Sequence, residues 1–415
     1  MNNLAEKFVS FLRKKIRDEI HDGGGRRDMF FKKLNIKWKK TSLAVSAVCF
    51  ALTAAVVCAA AAGGETKAAA AQSKKPASEI SEPAISAETA VLIDAASGKV
   101  LYDRRMNAHM YPASTTKILT AMIALEQLDP EETVKVSENA VKQEGSSIYL
   151  KTGEEIKLKD LLYGMMLRSG NDSAVAAAEA AGGSVEAFAN LMNERVKALG
   201  LENSHFMNPS GLQEENHYSS AYDLAMITRE AFKNQLFKEI VSAKTYQAER
   251  EGADSYKYFY NKNKTVFQYE GATGVKIGYT IAAGRCLVAS AKRDGTELIA
   301  VVLNDHDWFE DAYKLMDYGF ERFDSVLIAK GQTPLISSAV MNGDSRTVKI
   351  GAEEDITCVQ VEGEASDLSI VYDVPDAVKA PVSRWERAGK MDIYSAGEYV
   401  YSKDLYYMED IGIKK

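Results

Sequence analysis

Three short clusters carry side chains suited to acyl chemistry. The first is Ser114-Thr115-Thr116-Lys117, just after Pro112. On a helix, positions i and i+3 lie about 60° apart around the axis and about 4.5 Å apart along it, so both side chains project to one face. A serine hydroxyl is a poor nucleophile until a base takes its proton. A lysine can be that base when a partly dry site, a second cation or a helix N-terminus lowers its pKa. Alone, the pattern also fits an ordinary solvated helix start. The second cluster is Ser169-Gly170-Asn171 and the third is Lys276-Ile277-Gly278. Each is weak by itself, and their order gives them weight.

The elements around them follow from periodicity. Ala90–Asp94 and Lys99–Asp103 flank a Ser97-Gly98 turn, a hairpin signal. Ile118, Met122 and Leu125 recur at helical spacing within about 114–128. A long Ala-rich helical region follows, over about 137–243. Strands return at 274–280, 285–292 and 297–303, with Asp294-Gly295 turning the last pair. Residues 308–323 read as a closing helix. From about 335 onward, short β-type runs such as Thr347–Ile350 and Leu368–Tyr372 read as a separate all-β module. The expected class is α+β: one antiparallel sheet with a helical subdomain, then a small all-β domain. Asp223 is expected to cap the helix after it, and Asn208–Gly211 to form a fixed turn near the cleft.

The 415 residues suggest two or three domains. A net charge of -7 argues against a nucleic-acid partner, but it hides a split. Residues 1–40 hold 12 Lys/Arg against 5 Asp/Glu, residues 41–64 hold no charge, and the remainder holds 39 against 53. The uncharged stretch is long enough to cross a bilayer, and the basic flank keeps 1–40 in the cytosol. The long basic region favours an uncleaved anchor; cleavage would release the rest. The expected organisation is therefore a basic cytoplasmic segment 1–40, a transmembrane or signal segment 41–64, a linker 65–88, a catalytic domain 89–330 and a β domain 335–415. Four cysteines show no CxxC spacing and five histidines no metal-ligand spacing, so no metal or other cofactor is expected.

The clusters match a signature shared by penicillin-binding proteins and class A β-lactamases. In the wider wording, Tyr111–Ala121, Leu167–Ala174, Asn208–Leu212 and Gly274–Thr280 resemble the D-alanyl-D-alanine carboxypeptidase family, the low-molecular-mass penicillin-binding proteins. The resemblance spans about 88–325 and extends more weakly over the β module. It implies a β-lactamase/DD-peptidase-like fold and a serine carboxypeptidase of the bacterial cell envelope. The substrate would be a peptidoglycan stem pentapeptide, the inhibitors β-lactams. Ser114 would be the nucleophile, Lys117 its base and Ser169 a proton relay. Asn171 would bind the substrate amide, and Lys276 would draw the terminal carboxylate. The N–H groups of Ser114 and Tyr279 would form the oxyanion hole, and Gly278 would let the substrate backbone lie close.

One position departs from the pattern. Ile277 stands where the family usually has threonine, and losing that hydroxyl costs about 1–3 kcal/mol if its partner stays buried and unpaired. Thr280 and Arg285 are candidates to compensate. Arg285 would take the terminal carboxylate, since a guanidinium matches it in two hydrogen bonds; otherwise it is an exposed arginine at a strand start. Two rival readings remain: a catalytically weakened penicillin-binding sensor or scaffold, and a β-lactamase. Against the latter, no Glu-x-x-Leu-Asn pattern lies between the second and third clusters.

Overall fold

The computed structural model describes residues 76, 79–250, 256–361 and 367–414. The expected segments 1–40 and 41–64 lie outside the described residues, as does most of the linker before residue 79. Among the described residues no helix is long and apolar enough to cross a membrane.

A five-stranded antiparallel sheet joins the two ends of the first domain. Its strands are β1 (Thr89–Asp94), β2 (Val100–Arg104), β3 (Ala272–Thr280), β4 (Gly284–Arg293) and β5 (Thr296–Leu303), in the order β2-β1-β5-β4-β3. Both hairpins form where expected. Asp94 Oδ2 accepts from the Ser97 N–H at 2.8 Å, and Asp294 and Gly295 both take positive φ.

Period-two alternation builds two cores from one sheet. Val91, Ile93, Ile299, Val301 and Leu303 face the helical layer, while Ala90, Leu92, Leu298, Ala300 and Val302 face the opposite way. The helical layer comprises α1 (Lys117–Gln127), α2 (Leu158–Arg168), α3 (Asn171–Gly182), α4 (Val185–Ala198), α5 (Ala221–Ala231) and α6 (Gln235–Ser242). On the other face lies α7 (Trp308–Arg322). It sits so close that a Cβ on Gly319 would meet Leu298 at 2.6 Å and Leu92 at 2.8 Å. Each fully buried branched side chain here stabilises the fold by about 1.5–3 kcal/mol.

Two expectations change. The cap of α5 is Ser220, whose Oγ accepts from the Asp223 N–H at 3.0 Å. Asp223 instead accepts from the Asn203 N–H and the Ser204 hydroxyl, fastening the preceding loop. The β module begins at Phe323 rather than about 335. Strand β6 (Phe323–Ala329) leaves α7 without a loop and pairs antiparallel with β9 (Ile356–Val361). With no loop, glycine or proline between Arg322 and Phe323, the sequence carries no mark of the change of element.

The remaining strands are β7 (Pro334–Met341), β8 (Thr347–Gly351), β10 (Leu368–Asp373), β11 (Ala377–Lys379), β12 (Arg387–Ser395) and β13 (Glu398–Tyr407). They form a six-stranded sheet in the order β10-β12-β13-β8-β7-β11, over a core that includes Val348, Ile350, Met391, Ile393 and Leu405. Cys286 and Cys358 are both free and buried.

Candidate active site

Ser114 lies in a 3-10 turn, Ala113–Thr116, that leads directly into α1. With three residues per turn, side chains at i and i+3 eclipse, which aligns Ser114 with Lys117 more closely than an α-helix would. The Lys117 Nζ is 3.0 Å from Ser114 Oγ, 2.7 Å from Asn171 Oδ1 and 2.5 Å from the Ser210 carbonyl. The lysine is completely buried. Burial pushes its pKa well below the ordinary lysine value, and the charge of Lys276 pushes the same way.

Burial and the charge of Lys276 favour the neutral amine, and the three contacts can accommodate it. A neutral amine has two N–H donors and one lone pair. Asn171 Oδ1 and the Ser210 carbonyl can only accept, so they take both donors. The lone pair is then left for the one partner able to donate, the Ser114 hydroxyl. The arrangement suits proton removal from Ser114.

Ser169-Gly170-Asn171 occupies the break between α2 and α3. Ser169 ends α2 in the left-handed region, at φ 65°. A Cβ at Gly170 would come within 2.6 Å of Ser173 Oγ. Asn171 opens α3, its Nδ2 donating to the Glu144 carbonyl at 2.6 Å. The Lys276 Nζ donates to Ser169 Oγ at 3.0 Å and to the Ile277 carbonyl at 2.9 Å. Burial lowers its pKa to about 7, with the nearby charge of Lys262 adding to the effect. The three clusters thus meet as two hydrogen-bonded sets, Ser114–Lys117–Asn171 and Ser169–Lys276.

The third cluster lies on β3, an edge strand of the sheet. Gly278 is needed by the protein's own packing: a Cβ there would meet the Ser114 nitrogen at 2.9 Å and the Pro112 carbonyl at 3.1 Å. Ile277 is half-buried and packs against the apolar cluster that includes the buried residues of α7. Tyr279 is exposed, and Thr280 Oγ1 accepts from the Ala283 N–H within the β3–β4 turn. Arg285 pairs across the ladder with Tyr279, is exposed, and donates to the His306 carbonyl at 2.7 Å.

Sequence reasoning missed several supporting groups. The buried Asp172 carboxylate accepts from the N–H groups of Ile148 and Leu150 and from the Ser147 hydroxyl, which ties the loop at 147–150 to α3. Its place directly after Asn171, at a helix start, was the available signal. The expected turn at 208–211 supplies more than shape, since Ser210 holds Lys117 through its carbonyl. His217 Nδ1 accepts from the Met207 N–H, so its Nε2 carries the proton and donates to Thr116 Oγ1 at 3.0 Å. Burial lowers the His217 pKa to about 4, so the ring is neutral. Lys262, between Asn261 and Asn263, also reaches the site, where its charge acts on both Lys117 and Lys276. A cavity of about 680 Å³ lined by Lys99, Arg229 and Tyr399 shares no residue with this cluster and holds no paired nucleophile and base.

A serine held by a fully buried lysine, beside a second serine–lysine pair and an open sheet edge, defines a serine enzyme of acyl transfer. A family model described as D-alanyl-D-alanine carboxypeptidase matches residues 76–307, and one for the C-terminal domain of penicillin-binding protein 5 matches 323–412. The chain is 35% identical to D-alanyl-D-alanine carboxypeptidase DacF of Bacillus subtilis, over 81% of this chain and 89% of that one. It is 31% identical to DacA of Escherichia coli strain K12, over 79% and 84% of the two chains. The solved structure of penicillin-binding protein 5 from Haemophilus influenzae is similar at a TM-score of 0.60 and 30% identity, covering 80% of this chain and 99% of that one. The chain belongs to the D-alanyl-D-alanine carboxypeptidase family, and its chemistry is that of a serine-type peptide hydrolase.

Proposed function

We propose that this chain removes the terminal D-alanine from peptidoglycan stem pentapeptides through an acyl-enzyme on Ser114. The observation that carries the reading is the set of three contacts on Lys117, two of which can only accept. Lys117 takes the Ser114 proton as the hydroxyl attacks the carbonyl between the two D-alanines. Ser169 passes a proton to the leaving amine, since a hydroxyl can donate and accept at once. Water then hydrolyses the acyl-enzyme. Asn171 also offers a side-chain amide to the substrate.

The oxyanion is held by the N–H groups of Ser114 and Tyr279. For Tyr279 the support is local. The Ile277 carbonyl is taken by the Lys276 side chain, and backbone groups on a strand alternate direction with period two, so the Tyr279 N–H shares that edge of β3. The terminal carboxylate is drawn by Lys276 and Arg285, with Thr280 bracing the turn between their strands. β-Lactams would acylate the same serine. The uncharged segment 41–64 anchors the chain in the membrane and puts the catalytic domain outside it, in the cell envelope. Incubating the full-length protein with a stem pentapeptide tests the reading, by D-alanine release and by the mass of trapped Ser114 peptide. Penicillin labelling without D-alanine release would favour a sensor or scaffold instead, and neither signal would refute the Ser114 assignment.

A further inference from the structure

Lys262 is a cation of this site that the steps above leave without a task. Its backbone is firmly placed. The Lys262 N–H donates to the Leu167 carbonyl at 3.0 Å, two residues before Ser169. On either side, the Asn261 side chain donates to the Ala243 carbonyl and Asn263 Oδ1 accepts from the Thr265 N–H. The side chain is exposed, and its Nζ lies 3.3 Å from Ser146 Oγ. Ser146 in turn accepts the Asn171 N–H on its carbonyl at 2.7 Å. Ser146 thus links Lys262 to Asn171, while Arg285 is held at the β3–β4 end by the His306 carbonyl.

Its electrostatic surroundings are one-sided. Arg168, Lys117 and Lys276 all act on it or feel its charge. Among the described residues no carboxylate forms an ion pair with Lys262; its side chain hydrogen-bonds a neutral hydroxyl. The nearby Asp172 is already engaged by the 147–150 backbone and Ser147. A cation set among like charges favours an anion beside it. In an enzyme whose substrate is a peptide, that anion is best supplied by the substrate.

We propose that Lys262 binds a second carboxylate of the substrate, on the residue preceding D-Ala-D-Ala, so that the enzyme selects peptides with a free acid there over their carboxamides. The inference rests on the reading of the reaction given above, in which Asn171 meets the acyl side of the substrate. It separates two anion positions: Lys276 and Arg285 for the terminal carboxylate, Lys262 for the internal one.

Two peptides ending in X-D-Ala-D-Ala test this, alike except that X carries a side-chain carboxylate or the matching carboxamide. With the full-length protein, kcat/KM is expected to favour the acid by about tenfold, as one charge-assisted contact can supply. Lys262→Met should bring the ratio close to one, chiefly by slowing the acid peptide, and Lys262→Arg should keep it. High salt should narrow the ratio for an exposed pair. An equal loss on both peptides in Lys262→Met would mean that Lys262 only braces Ser146, and the proposal would fall. The Kd values of both peptides for Ser114→Ala keep the two readings apart. If neither peptide yields D-alanine, the reaction assigned above fails, while the Kd ratio with and without Lys262→Met still judges the carboxylate site.

Discussion

Lys117 Nζ lies 3.0 Å from Ser114 Oγ, while its two remaining contacts, Asn171 Oδ1 and the Ser210 carbonyl, cannot donate. This relationship leaves the lysine lone pair one direction to point in, at the hydroxyl proton. An arginine would stay charged at any working pH and a methionine has no basic nitrogen. Lys117→Arg and Lys117→Met should therefore each slow acylation by a fluorescent penicillin at least about 10³-fold, within the range expected when a general base is removed. Stopped-flow labelling reads this directly. A loss below tenfold would assign the base elsewhere.

Lys276 should define the alkaline side of the activity profile. Its pKa is lowered to about 7 by burial and by Lys262, and that of Lys117 is pushed well below the ordinary lysine value by burial and then by the charge of Lys276. With Lys117 as the proposed base and Lys276 as the proposed cation, kcat/KM should rise with pH as Lys117 loses its proton and fall as Lys276 loses its own near 7. Lys276→Arg should keep the rise and move the fall upward by more than two pH units. Stability takes the opposite sign. A lysine whose folded pKa lies below its unfolded value of about 10.4 binds fewer protons when folded, so its penalty is full below 7 and fades as pH climbs toward that unfolded value. Denaturant titrations at pH 6 and 9 compare the two.

Gly278→Ala tests whether this glycine serves the protein's own packing. The added Cβ would stand 2.9 Å from the Ser114 nitrogen, so either β3 or the nucleophile turn must shift. An oxyanion donor moved by even a fraction of an ångström loses much of its effect. Penicillin acylation should fall at least about a hundredfold, while Tm falls by only a few degrees. If acylation of the small β-lactam stays normal and only peptide hydrolysis drops, the space belongs to the substrate.

Ile277→Thr should move activity and stability in opposite directions. The isoleucine is half-buried against an apolar cluster, so removing methyl packing should cost about 1 kcal/mol. The substitution returns the hydroxyl that the family pattern carries at this position, and adds one hydrogen bond for the substrate carboxylate. One such bond is worth about 1 kcal/mol, so kcat/KM on a D-Ala-D-Ala peptide should rise roughly three- to tenfold. An unchanged or lower value would show that Ile277 does not limit this enzyme.

What sequence could and could not show divides along physical lines. Strands β1 and β5 are buried on both faces and read as unbroken apolar runs, and the two hairpins carry Ser-Gly and Asp-Gly turns. These signals are local, so they were legible. The change from α7 to β6 was not, because no loop or Gly/Pro punctuation separates Arg322 from Phe323. In the site, Ser114, Lys117, Ser169, Asn171 and Lys276 stood out through short spacing patterns. Ser210 acts through a carbonyl that every residue possesses. His217 and Lys262 reach the cluster only after the chain folds back over it. Backbone acceptors and lone side chains brought in by tertiary contact leave no spacing to read.

Arg285 is the assignment most open to a decisive measurement. It faces Tyr279 across the β3–β4 ladder, at the end of the strand bearing Lys276, and is exposed with one N–H given to the His306 carbonyl. Glu297, one strand further on, is committed elsewhere: it accepts from the Thr273 hydroxyl and pairs with Lys238. The ladder register sets Val301, not Glu297, level with Lys276, and four residues of strand separate the two by about 13 Å. Arg285 is therefore the better-placed guanidinium. Arg285→Ala should lower kcat/KM on a D-Ala-D-Ala peptide about tenfold or more, mainly through KM, because the ground state already carries the carboxylate. Arg285→Lys should recover only part, since the paired hydrogen bonds need the planar fork. A peptide amidated at its C-terminus should be hydrolysed poorly by the wild type and no worse by Arg285→Ala. If Arg285→Ala leaves kcat/KM unchanged on the free acid, the residue is only a strand-start arginine and Lys276 holds the carboxylate alone.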